Sequence, residues 1–314
     1  MFEIERYTPA HKEAWDQFVH QSKNSTFLFL RDYMDYHSDR FADHSLMAWH
    51  KGRLYAVLPA NLDGDTLCSH QGLTYGGWLM GRHATVEGMC TLFKQMVDFA
   101  HQSGIRQMTY KAIPWIYHTY PAEEDLYALY HICAARITSR HVSSAIDLCS
   151  RMAFTESRKS GLRKATARNL KIEEGGQERL EDFWKILEGN LFQRHHVAPV
   201  HTFDEMRLLM SRFPDHIRLF VVTDNGCVLG GTLLYLSDRV VHTQYISASE
   251  EGKAGGALDL LFNELMSYDW GTATYFDFGR STIGDGSELN NSLLFQKEGF
   301  GARAICYDIY TMKL

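Results

Sequence analysis

Apolar and polar positions alternate along two stretches of the chain that follow the same plan. The first runs SLMAWHKGRLYAVLPANLDGDTLCS from Ser45, continues as GLTYGGWLM, and gives way to a helical pattern. The second runs IRLFVVTDNGCVLGGTLLYLSDRVVHTQYISAS from Ile217 and is followed by a helical pattern too. Period-two alternation between turn residues predicts half-buried strands. The turns fall at Lys51-Gly52 and Asp63-Gly64 in the first stretch, and at Asn225-Gly226 and Ser237-Asp238 in the second. Glycine accepts the positive φ that tight hairpins require, so these pairs predict matched hairpins.

The period then changes from two to 3.6. Met89, Leu92, Phe93, Met96 and Ala100 share one helical face, and Gly104 supplies a stop. Leu258, Leu261, Phe262 and Leu265 do the same before Gly271. Each helix leads into a returning strand, at 105–113 and at 273–279. Helices also open each half: HKEAWDQFVHQ in the first, and in the second a stripe of Leu180, Phe183, Trp184, Leu187 and Leu191. The expected fold is α/β with mixed sheets. It comprises two tandem domains, 1–150 and 151–314, each a β-meander with flanking helices and a returning strand. The join is expected near 145–160, where HVSSAIDLCS meets the charged TESRKSGLRKATARN.

Composition narrows the class. The chain has 314 residues and a formal charge of −6, which excludes a polycation built to coat nucleic acid. Six scattered cysteines form no C-x-x-C pair, and MFEIERYTPAHKEAW has no apolar core region. These features predict reduced thiols and a cytoplasmic protein without signal peptide. No apolar run approaches the ~20 residues of a membrane helix, so no integral membrane segment is expected.

Candidate chemistry concentrates in the second half. FDFGRSTIGDG contains Asp277-Phe278-Gly279, the tripeptide that holds magnesium in kinases, yet the chain has no G-x-G-x-x-G and no H-R-D. Only 35 residues follow the tripeptide, too few for a kinase helical lobe. Asp277, Arg280 and Ser281 instead sit where a strand ends and a Gly-rich loop begins. Arg280 can grip a carboxylate or phosphate through its planar fork, or pair with Asp277 to brace the loop. Lys297 follows Leu293, Leu294 and Phe295, and is either a phosphate contact or an exposed helix-surface lysine. Arg194, His195, His196 and His201 form the densest histidine cluster. It lacks H-E-x-x-H and cysteine partners, so no metal is expected. The basic run Arg158, Lys159, Arg163, Lys164, Arg168 and Lys171 either meets a phosphate backbone or forms a solvated helix face. Trp115, Tyr117, Tyr120, Tyr127 and Tyr130 line an acceptor groove or serve as packing aromatics.

Taken together, these motifs resemble the FemAB-like branch of the GNAT acyltransferase superfamily, whose fold is a tandem of helix–meander–helix–strand units. SRKSGLRKATARN is similar to the basic stretch opening the second half of those proteins. NLFQRHHVAPVHTF resembles their R-x-x-x-x-P-x-H segment, with Arg194, Pro199 and His201. FDFGRS followed by LLFQKEGFGA resembles their D-F-G-R-S … F-K-x-x-x-G ending, with Lys297.

The resemblance implies transfer of an acyl or aminoacyl group onto an amine, from acyl-CoA or aminoacyl-tRNA as co-substrate, with no permanently bound cofactor. The implied acceptor is a small amine or a cell-envelope precursor. A charged tRNA is an implied partner, and the oligomeric state is left open. The other reading is a catalytically silent tandem module that binds a peptide, sugar or partner in the cleft between the halves. His201, Asp277 and Tyr245 are the implied catalytic residues, with carbonyl stabilisation by backbone N–H groups near Tyr245 to Ser247. Arg194, Arg280, Ser281, Lys297, Lys253, Gly255 and Arg163 are the implied substrate- or donor-binding residues. Here the chain departs from the family. Ordinary GNAT enzymes hold the CoA pyrophosphate on a Q/R-x-x-G-x-G/A turn at a helix N-terminus. Ser249 to Ala257 keeps Gly255 and Ala257, lacks the leading Gln or Arg, and adds Glu250 and Glu251. No sustained heptad run marks a coiled-coil arm.

Overall fold

A computed structural model describes the backbone of residues 1–314 and every side chain except those of Arg194 and His195. In chain order the first strands and helices are β1 (Phe2–Arg6), α1 (Lys12–Gln21), α2 (Arg31–Met34), β2 (Leu46–His50) and β3 (Arg53–Leu58). There follow β4 (Asn61–Asp63), β5 (Thr66–Cys68), β6 (Leu79–Met80), α3 (Val86–Gln102), β7 (Gln107–Lys111), α4 (Glu124–His131) and β8 (Arg136–Asp147). The remainder comprises α5 (Glu156–Ala167), β9 (Lys171–Gly175), α6 (Gln177–His195), α7 (Phe203–Arg212), β10 (Ile217–Asp224), β11 (Cys227–Leu236) and β12 (Val240–Ala248). It closes with α8 (Glu250–Gly255), α9 (Ala257–Leu265), β13 (Tyr275–Arg280), β14 (Thr282–Ile283), β15 (Glu288–Leu289), α10 (Asn291–Gly299) and β16 (Arg303–Lys313).

The chain forms two compact units. One contains Met1–Val142, Thr282–Glu288 and Cys306–Leu314; the other contains Ser143–Ser281 and Leu289–Ile305. The chain therefore does not divide at a single linker. The first unit recovers its own C-terminal strand, because Ile309–Lys313 of β16 pairs antiparallel with β7.

In the first unit, β1, β2, β3 and β6 form one sheet, while β4, β5 and β7 belong to another. Lys51 and Gly52 take φ of 52° and 73°, the mirror-image turn that joins β2 to β3. The meander breaks at Pro59, which has no N–H to continue the ladder. β6 takes the place beside β3, with Ala56 opposite Met80 and Val57 opposite Leu79. The core gathers Trp78, Leu92, Phe93, Met96 and Tyr110 beneath α3.

The second unit builds one sheet in the order β13-β12-β11-β10-β9, with Ser143–Asp147 of β8 on the outer side of β13. Asn225 and Gly226 adopt φ of 50° and 84° at the β10–β11 turn. Phe220, Val222, Leu234 and Val241 face Leu261, Phe262 and Leu265 of α9. Burying each of those helix side chains is worth roughly 1.5–3 kcal/mol. Strand alternation turns Leu219, Val221 and Leu233 to the opposite face, where α6 packs with Leu180, Phe183 and Trp184 buried. Both faces of the sheet are thus covered.

Candidate functional site

β12 and β13 run parallel but pair at only three positions: Val240 with Tyr275, Val241 with Phe276, and His242 with Asp277. Beyond Asp277 the two strands separate, while β12 continues to Ala248 against β11. A cavity of about 310 Å³ fills the wedge. Ile246, Ser247 and Ala248 line it from β12, and Phe278 from β13. Leu187, Asn190 and Leu191 of α6 and Leu258 and Phe262 of α9 also line it, as do Leu293, Gln296, Lys297 and Phe300. Most of these groups are apolar, and two lysines, Lys253 and Lys297, are among the polar ones.

The edge of β12 facing the wedge carries backbone donors. Ser249 N–H donates to Leu229 C=O, so the antiparallel alternation also turns Ser247 and Tyr245 toward β11. Ile246 and Ala248 then direct their N–H groups toward the wedge. Consistently, Ala248 C=O accepts from Asn190 Nδ2 of α6 at 2.8 Å.

A bulge interrupts β12 just before this segment. Leu233 pairs with Tyr245 but Leu234 pairs with Thr243, leaving Gln244 as the extra residue. Tyr235 pairs with His242. Because Leu233 and Tyr235 share a face, the bulge brings Tyr245 and His242 onto that same face, the one α6 covers. Tyr245 meets Trp184 of α6 edge-on at 5.5 Å. Its hydroxyl lies 2.8 Å from His201 Nδ1 and accepts the His201 backbone N–H at 3.2 Å. Burial raises the Tyr245 phenol above its ordinary value. His201 is itself buried against Tyr245.

Asp277 is 0% exposed. One carboxylate oxygen accepts from the Ser143 hydroxyl and from Gly279 N–H; the other lies 2.9 Å from His242 Nδ1. Gly279 has φ of 75°, where glycine is favoured, and a Cβ there would stand 3.3 Å from His242 Cε1.

Lys297 is inside, at 6% exposure, whereas Phe295 two residues earlier is 70% exposed. α10 thus turns an aromatic ring outward and a lysine inward, so the expectation of a helix-surface lysine does not hold. The ammonium donates to Gly279 C=O (2.8 Å), Arg280 C=O (3.0 Å) and Ser281 Oγ (2.8 Å). Three donors meet three acceptors, which makes Lys297 the brace of the 279–281 loop. Burial lowers its pKa to about 8, against the opposing pull of the Asp277 carboxylate. Ser281 is buried in that arrangement, and the Arg280 side chain is exposed.

The remaining expected residues are placed differently. Lys253 lines the cavity and donates to Asn190 Oδ1 and Glu250 Oε1. Residues 250–255 are helical, and the Ser249 side chain accepts from Gly252 N–H. The stretch is therefore a short helix whose Gly252 amide is capped by Ser249. Gly255 packs near Arg168, which is ion-paired with Asp224 and Glu251. Gly256 lies against the Gly161 carbonyl, where a Cβ would come within 2.1 Å. Arg163 is exposed on α5 and does not line the cavity. The side chain of Arg194 lies outside the described residues. Among the described residues no group of three or more metal-ligating side chains is placed to hold an ion, and no helix is long and apolar enough to cross a membrane.

Sequence reasoning missed His242, Ser143 and Asn190. His242 stands in VVHTQYIS at an ordinary alternating strand position, and only the register beside β13 brings it to Asp277. Ser143 depends on the register of β8, and Asn190 on the rotation of α6.

The acetyltransferase (GNAT) domain family model matches residues 154–287. No curated protein matches the sequence. The crystal structure of FemX is similar over 99% of this chain and 97% of its own, at TM-score 0.71 and 12% identity. L-PGS from Bacillus licheniformis is similar over 98% of this chain and 92% of its own, at TM-score 0.61 and 14% identity. A tandem GNAT protein from the clavulanic acid biosynthesis pathway is similar over 100% of this chain and 98% of its own, at TM-score 0.51 and 13% identity.

Proposed function

We propose, from the premise that this chain carries a GNAT acetyltransferase domain within a FemAB-like tandem GNAT fold, that it transfers an acyl or aminoacyl group to an amine in the β12–β13 wedge. One observation carries this reading: two parallel strands part over a mainly apolar cavity of about 310 Å³, and one of them turns unpaired N–H groups toward it. The donor carbonyl lies at those N–H groups. The acceptor nitrogen attacks the carbonyl carbon, a C–N bond forms, and the oxygen gains the charge that Ile246 or Ala248 N–H stabilises. Collapse of the tetrahedral adduct breaks the bond to the thiol sulfur of an acyl-CoA or the ribose oxygen of an aminoacyl-tRNA. Tyr245, its hydroxyl held by His201, supplies the proton to that leaving group, and the proton that the amine nitrogen sheds passes to water, so that the transfer balances. Lys297 holds the loop that carries Arg280, and Arg280 grips a carboxylate or phosphate of the acceptor or donor.

The acceptor class we infer is an amine on a small molecule or a cell-envelope precursor. The experiment is a binding and transfer screen of acyl-CoAs and charged tRNAs against amine acceptors, with coupling followed by mass. Transfer from either donor supports the reading; absence of both binding and transfer removes it.

A second reading, a catalytically silent module binding a peptide or sugar in the same cavity, draws on one observation. Glu250 and Glu251 occupy the first turn of α8, and Ser249 fills the amide that a pyrophosphate would seek. A peptide or sugar that binds without turnover would favour it.

A further inference from the structure

We infer that the group transferred is an uncharged, apolar acyl chain of about six to ten carbons, carried as a thioester, an assignment that rests on the acyl-transfer reading above. The size of the cavity sets the length. An apolar cavity of about 150 Å³ takes up benzene, a six-carbon ring. The wedge, at about 310 Å³, has roughly twice that room. The thioester carbonyl and sulfur at the strand edge fill part of it, and the chain fills the rest.

The lining sets the polarity. Leu187, Leu191, Leu258, Phe262, Phe278 and Phe300 form apolar walls, and Gln296 adds a neutral amide. Among the described lining residues none is Asp or Glu, whereas Lys253 and Lys297 are both present. The carboxylates beside those lysines lie outside the lining and have partners of their own. Glu250, with its side chain 81% exposed, pairs with Lys253. Asp277, wholly buried, accepts from Ser143 Oγ and Gly279 N–H. A cation entering this space sheds its hydration shell, meets two ammonium groups and finds no carboxylate, the unfavourable case of a buried unpaired charge. An anion gains little in its place. Lys297 commits its three N–H donors to Gly279, Arg280 and Ser281. Lys253 commits two to Asn190 and Glu250, which leaves it one.

Asn190 extends the exclusion to the α-amino group of an aminoacyl donor. That group stands one carbon from the carbonyl, hence at the β12 edge, and as an ammonium it needs acceptors there. Asn190 Nδ2 donates to Ser247 Oγ at 2.7 Å and to Ala248 C=O at 2.8 Å, so both acceptors are engaged. Its Oδ1 accepts from Lys253 at 2.9 Å, which fixes the orientation of the amide. Strand alternation leaves the Ile246 carbonyl, and one neutral dipole does not replace the hydration of an ammonium in a cavity that holds two lysines. The wedge thus separates the two donor classes: a plain acyl thioester fits, and an aminoacyl ester does not. In the step, the C–S bond breaks and an amide C–N bond forms. The thiol leaves with one proton, and the amine nitrogen gives one up.

Pantetheine thioesters test this without the pyrophosphate that Glu250 and Glu251 oppose. Calorimetry without acceptor, at about pH 6.5, where amines are protonated, compares two pairs. Heptanoyl- and 6-aminohexanoyl-pantetheine differ by a terminal methyl against an ammonium. 4-Methylpentanoyl- and leucyl-pantetheine differ by the α-ammonium alone. The uncharged member of each pair is expected to bind about 30-fold tighter or more. Adipoyl-pantetheine, tipped with a carboxylate, is expected to bind more weakly than the heptanoyl thioester. Equal binding within either pair, a preference for a charged chain, or binding by none of the thioesters overturns the assignment. Leu258→Glu places a carboxylate in the cavity from a partly accessible position. It is expected to shift the heptanoyl-to-6-aminohexanoyl ratio toward the ammonium about tenfold or more. An unmoved ratio in the folded variant overturns the assignment; should the variant fail to fold, the wild-type pairs decide. Transfer separates this assignment from the reading beneath it. Turnover of leucyl-tRNA as fast as of the heptanoyl thioester upholds acyl transfer and overturns the uncharged chain. No turnover with any donor removes acyl transfer, and the binding order still decides what the cavity prefers.

Discussion

Lys297 Nζ lies 2.8 Å from the Gly279 carbonyl oxygen and 2.8 Å from Ser281 Oγ, so one buried ammonium ties α10 to the loop that ends β13. That tie fixes where the wedge ends on the β13 side.

Replacing it should therefore act on both stability and function. Lys297→Met removes the charge but leaves the Gly279 and Arg280 carbonyls and the Ser281 hydroxyl without their donor. Each unsatisfied buried group costs about 1–3 kcal/mol, offset in part by relief of the buried charge. The expected outcome is a net loss of about 2 kcal/mol in urea unfolding, with loss of ligand binding at the wedge. Unchanged stability would show that the loop holds its shape without the lysine.

The same lysine gives a pH signature. Its folded pKa is about 8 and its ordinary value is 10.5. The unfolded chain binds this proton more tightly than the folded one, so the contribution to stability rises as pH climbs from 8 to 10.5 and is lost as pH falls through 8. The expected gain is about 3 kcal/mol at most across that window. Urea titrations of wild type and Lys297→Met between pH 7.5 and 10.5 compare the slopes; parallel curves would contradict it.

The first unit contains a carboxyl with the opposite sign. Asp125 is buried, accepts from the Tyr110 hydroxyl, and has its pKa raised by burial from 3.8 to about 7. The folded state holds this proton more tightly, so its contribution is fully present below 3.8 and is lost as pH rises through 7. Asp125→Asn keeps the shape and removes the titration. The variant is expected to lose less stability than the wild type between pH 5 and 8, measured by thermal unfolding at each pH. An identical fall in both proteins would show that other groups set that slope.

Arg280 is exposed at the end of β13, and its side chain is expected to serve ligand binding more than the fold. Arg280→Ala is expected to weaken binding of the anionic donor or acceptor at least tenfold while Tm stays within about 2 °C, in line with a surface substitution. Unfolding of this variant would make the arginine a structural brace, and unchanged binding would remove it from the site.

These tests fall on residues that differ in how legible they were. Asn225-Gly226 and Lys51-Gly52 were readable because a two-residue hairpin demands positive φ at both positions, and few residue pairs supply it. The α3 and α9 faces were readable from their 3.6-residue spacing. The break at Pro59 was not anticipated, since the flanking strands alternate equally well in either sheet. Lys297 resisted reading because Leu293, Leu294 and Phe295 suggest the buried side of α10, whereas Phe295 points outward. Its burial depends on three acceptors in a loop 16 to 18 residues away. His242 was hidden for a related reason: its partner Asp277 is set by strand register, and its face by a bulge that leaves no mark in the sequence. The departure of Ser249–Ala257 from the phosphate turn was legible in its missing Gln or Arg and its two glutamates, whereas the cap that Ser249 gives the Gly252 amide was not, because a serine N-cap is as common in plain structural helices as in ligand sites.

The wedge itself offers the most direct test of acyl transfer at this site. Leu258 lines the cavity from α9 and is partly accessible, so Leu258→Trp fills space without touching the backbone donors of β12. Donor binding by calorimetry and acyl transfer by mass spectrometry should be measured on wild type and variant, with acyl-CoAs and charged tRNAs as probes. The expected result is binding and transfer by the wild type with one donor class, and loss of both in a Leu258→Trp protein that unfolds at the same temperature. A filled cavity that leaves donor binding and transfer intact would contradict it.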